Sequence, residues 1–349
     1  MKKSIIHRDS NFELLRVISI LMIILHHFFG YSNYVFSYPF HVHDFVLLFF
    51  QSGGKLGVIL FVMISGYYLV YEKKMKVTKL VELELKVLYY SIGIFLLFVL
   101  FFHREFTLYE SFKFFLPNIF KLYWFFSGYF FLYLISPYLN KFIFSIYKKK
   151  NEFKRFLIIC FVFLILIPSI FIFNYSINEV VYLVYYYIFG GYIRLYSKDI
   201  KGKYRYLIIS CVSYALIILF TFLLIRLSFY NNNIIGYLYC FSSIHSIFVF
   251  GCGVSLFLFF KNIKIKKNRV INYLASFSFG VYLFHEHIYM REFLWGNIFS
   301  LYKVMGHGIL LINGLCVAIC VYMLGIVFDF VRELIFMIIK KMGRSIKLN

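Results

Sequence analysis

The 349-residue sequence is short of charge, and above all of negative charge. Asp and Glu number 15 against 37 Lys and Arg, and charged residues make up 15% of the chain. A water-soluble domain carries about a quarter charged residues, so a soluble fold is excluded. Only four prolines occur, which leaves few of the broken helices from which many transporters build their binding sites. No internal repeat is evident, and no segment reads as a soluble domain. Six cysteines (Cys160, Cys211, Cys240, Cys252, Cys316 and Cys320) lie within apolar runs and form no Cys-x-x-Cys pair. That argues against both a metal framework and a disulfide scaffold and leaves them as small buried apolar residues. No small-residue cleavage site follows the first apolar run, so it is expected to persist as a span and not to leave as a signal peptide.

What the chain has instead is hydrocarbon: 62% hydrophobic residues, 23% aromatic, and a mean hydropathy of +0.81. Ten apolar runs recur, at about 12–30, 55–71, 87–102, 120–138, 156–173, 180–193, 206–226, 236–260, 270–290 and 307–331. Most reach the roughly 17 to 25 residues that cross a bilayer as a helix. The third and sixth are short, and 45–54 reads as an extra interfacial helix. The predicted fold is all-α, a polytopic integral membrane protein of about ten transmembrane helices in a single transmembrane domain spanning 1–349, with no appended soluble domain.

The formal charge of +22 invites nucleic acid as a partner, but its distribution points elsewhere. With the N-terminus inside, 29 of the 37 Lys and Arg fall on inner segments and six on outer ones, while Arg16 and Lys55 lie within runs. This is the positive-inside pattern. It predicts both termini in the cytoplasm and excludes nucleic-acid binding as the reason for the charge.

Two polar residues in the first run stand out. Arg16 and His27 are eleven residues apart, close to three helical turns, so they share one face about 16 Å apart along the axis. Ionisable groups inside a span are costly and normally face a protein interior or a wet cavity. His27 suits a general base, since imidazole titrates near neutrality. Arg16 can hold an anion or stabilise developing negative charge, and Glu13, three residues earlier, can pair with it. His26 points about 80° away from Arg16 and reads as a supporting residue. Against this stands the plainer reading, in which Arg16 snorkels inward and His27 packs against a neighbouring helix.

Other polar groups gather toward the outer ends of runs. Tyr282, His285, Glu286 and His287 close the ninth, where Glu286 or His285 could orient an imidazole or bind a sugar hydroxyl. Lys55 enters the second run after Gly53-Gly54, and Ser65-Gly66-Tyr67 ends it with small residues that permit close helix approach. His41, His43 and Asp44 lack a further ligand at suitable spacing, so no metal site is expected. His245 reads as a core histidine.

These residues carry a resemblance. Glu13-Leu-Leu-Arg16 with His27 following is similar to the first-span signature of the membrane acyltransferase-3 family. Lys55 through Ser65-Gly66-Tyr67 resembles that family's second span. Tyr123-Trp124, with Tyr133 and Ser136-Pro137-Tyr138-Leu139-Asn140, resembles the fourth span of members acting on bacterial surface polysaccharides. Ser278 through Tyr282, His285 and Glu286 resembles their ninth. The resemblance implies an integral membrane O-acyltransferase of the bacterial cytoplasmic membrane. It would move an acyl group, usually acetyl, from cytoplasmic acyl-CoA to a hydroxyl of a cell-surface or lipid-linked polysaccharide. His27 and Arg16 match the family's essential His and Arg, with Glu13 setting the arginine's geometry. His26, Lys55, Trp124, Tyr282, His285 and Glu286 become candidates for substrate binding. Many members carry arginines in the inner loop before the third span, where this chain has Lys79 and Lys86 as candidate donor-binding residues. No permanently bound cofactor is implied; acetyl-CoA or another acyl-CoA is a substrate, and membrane lipid and polysaccharide-biosynthesis proteins are the expected partners. The rival reading is a transporter or flippase in polysaccharide export, with the polar residues lining its path.

Overall fold

The computed structural model describes residues 9–32, 34–36, 38–171, 177–197, 202–301, 303 and 309–345, with side chains to 339. Helix accounts for 81% of the protein, and no strand occurs among the described residues. The fold is all-α. Its helices are α1 (Ser10–Gly30), α2 (Val42–Gln51), α3 (Gly54–Leu69), α4 (Val77–Phe101), α5 (Leu108–Phe115), α6 (Trp124–Tyr147), α7 (Lys150–Phe161), α8 (Ile167–Ile170) and α9 (Glu179–Tyr196). After them come α10 (Tyr204–Ser228), α11 (Ile247–Asn262), α12 (Arg269–Ser276), α13 (Ser278–Glu286), α14 (Ile288–Glu292) and α15 (Leu310–Ser345). A π-helical turn over Val162–Leu166 joins α7 to α8.

Among the described residues eight helical stretches are long and apolar enough to cross a membrane: Ser10–Gly30, Val42–Leu69, Val77–Phe101, Trp124–Tyr147, Lys150–Ile170, Tyr204–Ser228, Asn232–Asn262 and Leu310–Ile339. The two expected runs outside this set are 180–193 and 270–290. The first folds as α9, whose six tyrosines and terminal Arg194 lower its hydropathy. The second is divided among α12, α13 and α14, the last break falling at His287, whose ring caps α14 by accepting from the Tyr289 N–H. The expected interfacial helix near 45–54 is α2, which a capping box between His41 and Asp44 starts.

The chain forms two compact units, residues Met1–Lys76 with Phe125–Asn272, and Val77–Trp124 with Tyr273–Asn349. In the first, α3 is the hub. It is apolar on all sides and almost wholly buried, as a helix surrounded by others must be, and α1, α9 and α11 pack on it. The α3–α9 contact is backbone to backbone. A Cβ on Gly66 would lie 2.0 Å from the Tyr187 carbonyl oxygen, and one on Gly190 2.3 Å from that of Met63. Helices without a hydrophobic drive between them gain most from such close approach. Gly66→Ala is therefore expected to force α3 and α9 apart and to destabilise the protein by about 3 kcal/mol. Gly93→Ala in α4, where a Cβ meets nothing within 4 Å, should be neutral. Thermal midpoints of the two detergent-solubilised variants, read by size-exclusion fluorescence, compare them; equal midpoints would refute the packing argument.

Polar side chains close the helix ends in the same unit. Pro137 has no N–H to donate to the Tyr133 carbonyl, and the Ser136 hydroxyl donates to it instead (2.8 Å). Buried Asn140 donates to the Leu69 (2.7 Å) and Glu72 (2.9 Å) carbonyls at the end of α3, and accepts from the Tyr187 hydroxyl (3.0 Å). The Ser136-Pro137-Tyr138-Leu139-Asn140 motif thus binds α6 to α3 and α9.

In the second unit α13 lies on α15 and α4, and α4 also packs on α5 and α14. Phe95, Phe98, Phe114 and Tyr289 form its aromatic core. His287 stacks on Phe114 and donates through Nε2 to the Ser91 carbonyl (3.2 Å). With Nδ1 serving as the α14 cap, both ring nitrogens of His287 have structural duties.

Candidate active site

Because α1 is continuous from Ser10 to Gly30, the helical phase read from the sequence holds, and Arg16 and His27 stand on one face of a single rigid element. At its first turns, Arg16 Nη1 donates to Glu13 Oε1 (2.8 Å). Glu13 is 3% exposed, and its second carboxylate oxygen has no hydrogen-bond partner. The guanidinium is the counter-charge that allows a carboxylate to stay buried there.

Eleven residues on, His27 is buried (8% exposed) with its ring 5.2 Å from that of Tyr31 and 5.4 Å from that of His26. The two histidines differ in employment. His26 donates through Nδ1 to the Gln51 carbonyl, and its ring lies over Gly54, where a Cβ would sit 2.4 Å away. Only glycine at the start of α3 admits that ring, so His26 ties α1 to α2 and α3. This accounts for Gly54 in the sequence and gives His26 a packing duty.

The same end of the first unit holds further polar groups. Lys55, the candidate for substrate binding, pairs with Glu179 at the head of α9 (2.7 Å). His245 lies 6.0 Å ring to ring from buried Tyr182, and its carbonyl accepts from Ser169 (3.2 Å). Tyr34 donates to Asp44 (2.7 Å) and meets His43 Nε2 at 2.7 Å. Asp44 is thereby occupied by Tyr34 and the His41 N–H (2.6 Å). An apolar cavity of about 380 Å³ opens beside Met22, Leu25 and Gly53; its lining suits hydrocarbon, not sugar.

At the opposite end of this unit lie Glu13 and Arg16, the close of α3 and the close of α9. Phe12 packs on Tyr67 (4.9 Å) and Tyr68 (5.5 Å), and Tyr68 donates to Asp9 (2.9 Å). The Asn11 amide donates to the Phe260 carbonyl (2.8 Å), and the Asn268 N–H to Ser10 (2.9 Å). These links gather the segments that carry Lys73, Lys74, Lys76, Lys261, Lys264, Lys266, Lys267 and Arg269 around the start of α1.

The second unit holds the remaining candidates. His285 is fully buried and donates through Nδ1 to the Val281 carbonyl (2.6 Å), which places the lone pair on Nε2. Glu286 is buried and faces Arg291 (3.5 Å). Tyr282 is buried 6.2 Å from His285 and 6.3 Å from Tyr123, ring to ring. Trp124 is half-buried at the head of α6. Lys79 is half-buried in the first turn of α4. Lys86 is engaged with buried Asp329 (2.8 Å), which also accepts from Arg332 (2.6 Å) and Tyr90 (2.9 Å).

Sequence reasoning passed over Asp329, Arg194 and Glu179. The first is an acidic residue inside an apolar run, a readable signal. The other two mark helix ends and become conspicuous only with their partners.

No curated protein and no solved structure matches the chain. The model of an acyltransferase domain does, over residues 9–331. That match takes in essentially the whole chain, including α1 with its Glu13–Arg16 pair and His27, and with its apolar helices the chain belongs to the acyltransferase-3 family as a multi-pass membrane acyltransferase.

Proposed function

We propose that this acyltransferase transfers an acyl group, acetyl in the usual case, from cytoplasmic acyl-CoA to a hydroxyl of a cell-surface or lipid-linked polysaccharide, and that it does so in the bacterial plasma membrane with both termini in the cytoplasm. The observation that carries the reading is a buried imidazole and a carboxylate-held guanidinium on one face of one unbroken helix.

A sugar hydroxyl is a poor nucleophile until its proton is accepted as it reacts. In this reading His27 takes that proton while the oxygen attacks the thioester carbonyl carbon. The tetrahedral intermediate collapses, the C–S bond breaks, and the imidazolium returns the proton to the leaving thiolate. Arg16, fixed by Glu13, serves the negative charge of the donor. The separation of about 16 Å along α1 suits a donor whose thioester lies at the end of a long flexible arm. The basic end of the first unit supports placing Arg16 on the cytoplasmic side, and with it the donor. His26 and Lys55, each held by a partner, shape the His27 end. Lys79 is retained as a donor contact, and Trp124, Tyr282, His285 and Glu286 as acceptor contacts.

Mass spectrometry of the surface glycan from strains with and without the gene tests this. Loss of an ester from a polymer that is still exported is the expected result. Loss of the polymer itself would overturn the proposal in favour of a flippase.

A further inference from the structure

Arg194 stands in the last turn of α9 and was not among the candidates that the sequence offered. Its guanidinium lies 4.7 Å from the centre of the Tyr67 ring and 6.0 Å from that of Tyr71, and Nη1 donates to the Tyr67 hydroxyl (2.9 Å). Arg16, Arg104, Arg291 and Arg332 each sit against a carboxylate, and what singles out Arg194 from the other arginines is its seat on the two tyrosine rings and the Tyr67 hydroxyl. Among the described residues Arg194 has no carboxylate within salt-bridge distance. The side chain is exposed, yet aromatic faces hold it in one place. A guanidinium has five N–H donors in a planar fork, so one bond to a tyrosine leaves most of the fork for a ligand. Oxyanions, and phosphates above all, match that fork in two-pronged fashion.

The position agrees with this. Tyr67 is packed by Phe12, one turn before Arg16, so the two guanidiniums belong to the same end of the first unit. The lysines of the neighbouring segments add positive potential there. A ligand attracted to this end would be anionic and would meet a preformed donor array.

We propose that Arg194, positioned by Tyr67 and Tyr71, binds a phosphate group of the acyl donor. This rests on the acyl-CoA reading above and adds to it the residue that holds the donor's anionic end. The same oxyanion chemistry occurs in anionic phospholipid headgroups, and the experiment separates the two sources.

Full-length protein in detergent would be titrated calorimetrically with CoA, with 3′-dephospho-CoA and with pantetheine, which lacks phosphate. Arg194→Ala should weaken CoA by about tenfold or more, the scale of one charge-assisted hydrogen bond, and leave pantetheine unchanged. In turnover it should raise KM for acyl-CoA while kcat holds. Arg194→Lys should recover part of the loss, as a point charge without the fork. Equal CoA affinity in Arg194→Ala would overturn the proposal, and so would an equal loss for pantetheine, which marks a merely structural role. Native mass spectrometry showing loss of bound phosphatidylglycerol with CoA affinity intact would overturn it in favour of a lipid site. Wild-type protein that binds no CoA would remove the donor reading too, whereas CoA binding indifferent to Arg194 removes only this proposal.

Discussion

Replacing His27 with glutamine is expected to lower acyl transfer by about two to four orders of magnitude, the usual contribution of a positioned general base, with protein level and elution profile unchanged. Glutamine keeps a planar polar side chain in the buried space beside Tyr31 and His26 but cannot take up a proton. The neighbouring His26→Gln is the internal comparison. His26 is bonded to the Gln51 carbonyl and packed on Gly54, so its loss should loosen the α1–α2–α3 junction and show first as a lower thermal midpoint. The measurement is release of CoA thiol from acyl-CoA in the presence of acceptor, alongside thermal midpoints. Full activity in His27→Gln would sink the assignment of the base. Arg16 is less useful as a probe, because Arg16→Ala leaves the Glu13 carboxylate buried without its counter-charge, and a folding defect would obscure the kinetic one.

Replacing Asp329 with alanine is expected to cost about 3–5 kcal/mol of stability, the range found when one partner of a buried ion pair is removed. Asp329 is 1% exposed and receives Lys86, Arg332 and Tyr90 at 2.6–2.9 Å. Without it, two mostly buried cations and a phenol on α4 and α15 lose their common acceptor. Asp329→Ala should therefore broaden or abolish the monodisperse peak on size exclusion, and Asp329→Leu with Lys86→Met should recover much of it, since an apolar replacement removes one of the stranded charges as well. Lys86→Met alone should lower stability more than it raises KM for acyl-CoA. A stable Lys86→Met protein with weakened CoA binding would return Lys86 to the donor site that the sequence suggested and would deny the structural role argued here.

Features carried by one helix were legible before any fold was seen. The pairing of Glu13 with Arg16, and the choice of His27 over His26 as its phase partner, follow from 100° per residue along α1. Eight of the ten apolar runs appear as helices able to cross a membrane. The other two differ because tyrosines and Arg194 lower the hydropathy of α9, while the stretch from α12 to α14 is interrupted, its last break at the His287 cap. Lys86 read as a candidate donor contact in an inner loop. Its partner lies 243 residues away, a distance over which no periodicity speaks. Asn140 belonged to a recognisable motif, but its work, capping α3 from α6, depends on the Leu69 and Glu72 carbonyls coming within reach. Arg194 was invisible for the same reason, since a guanidinium at a helix end gains meaning only from the rings beneath it.

The sequence by itself determined that this is a helical membrane protein, where its positive charge lies along the chain, and which face of the first helix carries an imidazole and a guanidinium. These properties arise from local periodicity and from transfer of side chains between water and hydrocarbon, which each segment settles alone. Only the tertiary structure decided which groups the ionisable side chains meet. It committed His26 to Gln51, Lys55 to Glu179 and Lys86 to Asp329, and it set Arg194 on tyrosine with no carboxylate beside it among the described residues. The physical reason is that a buried charge must find its counter-charge or its hydrogen bonds in space, and only the packed fold says which groups are neighbours.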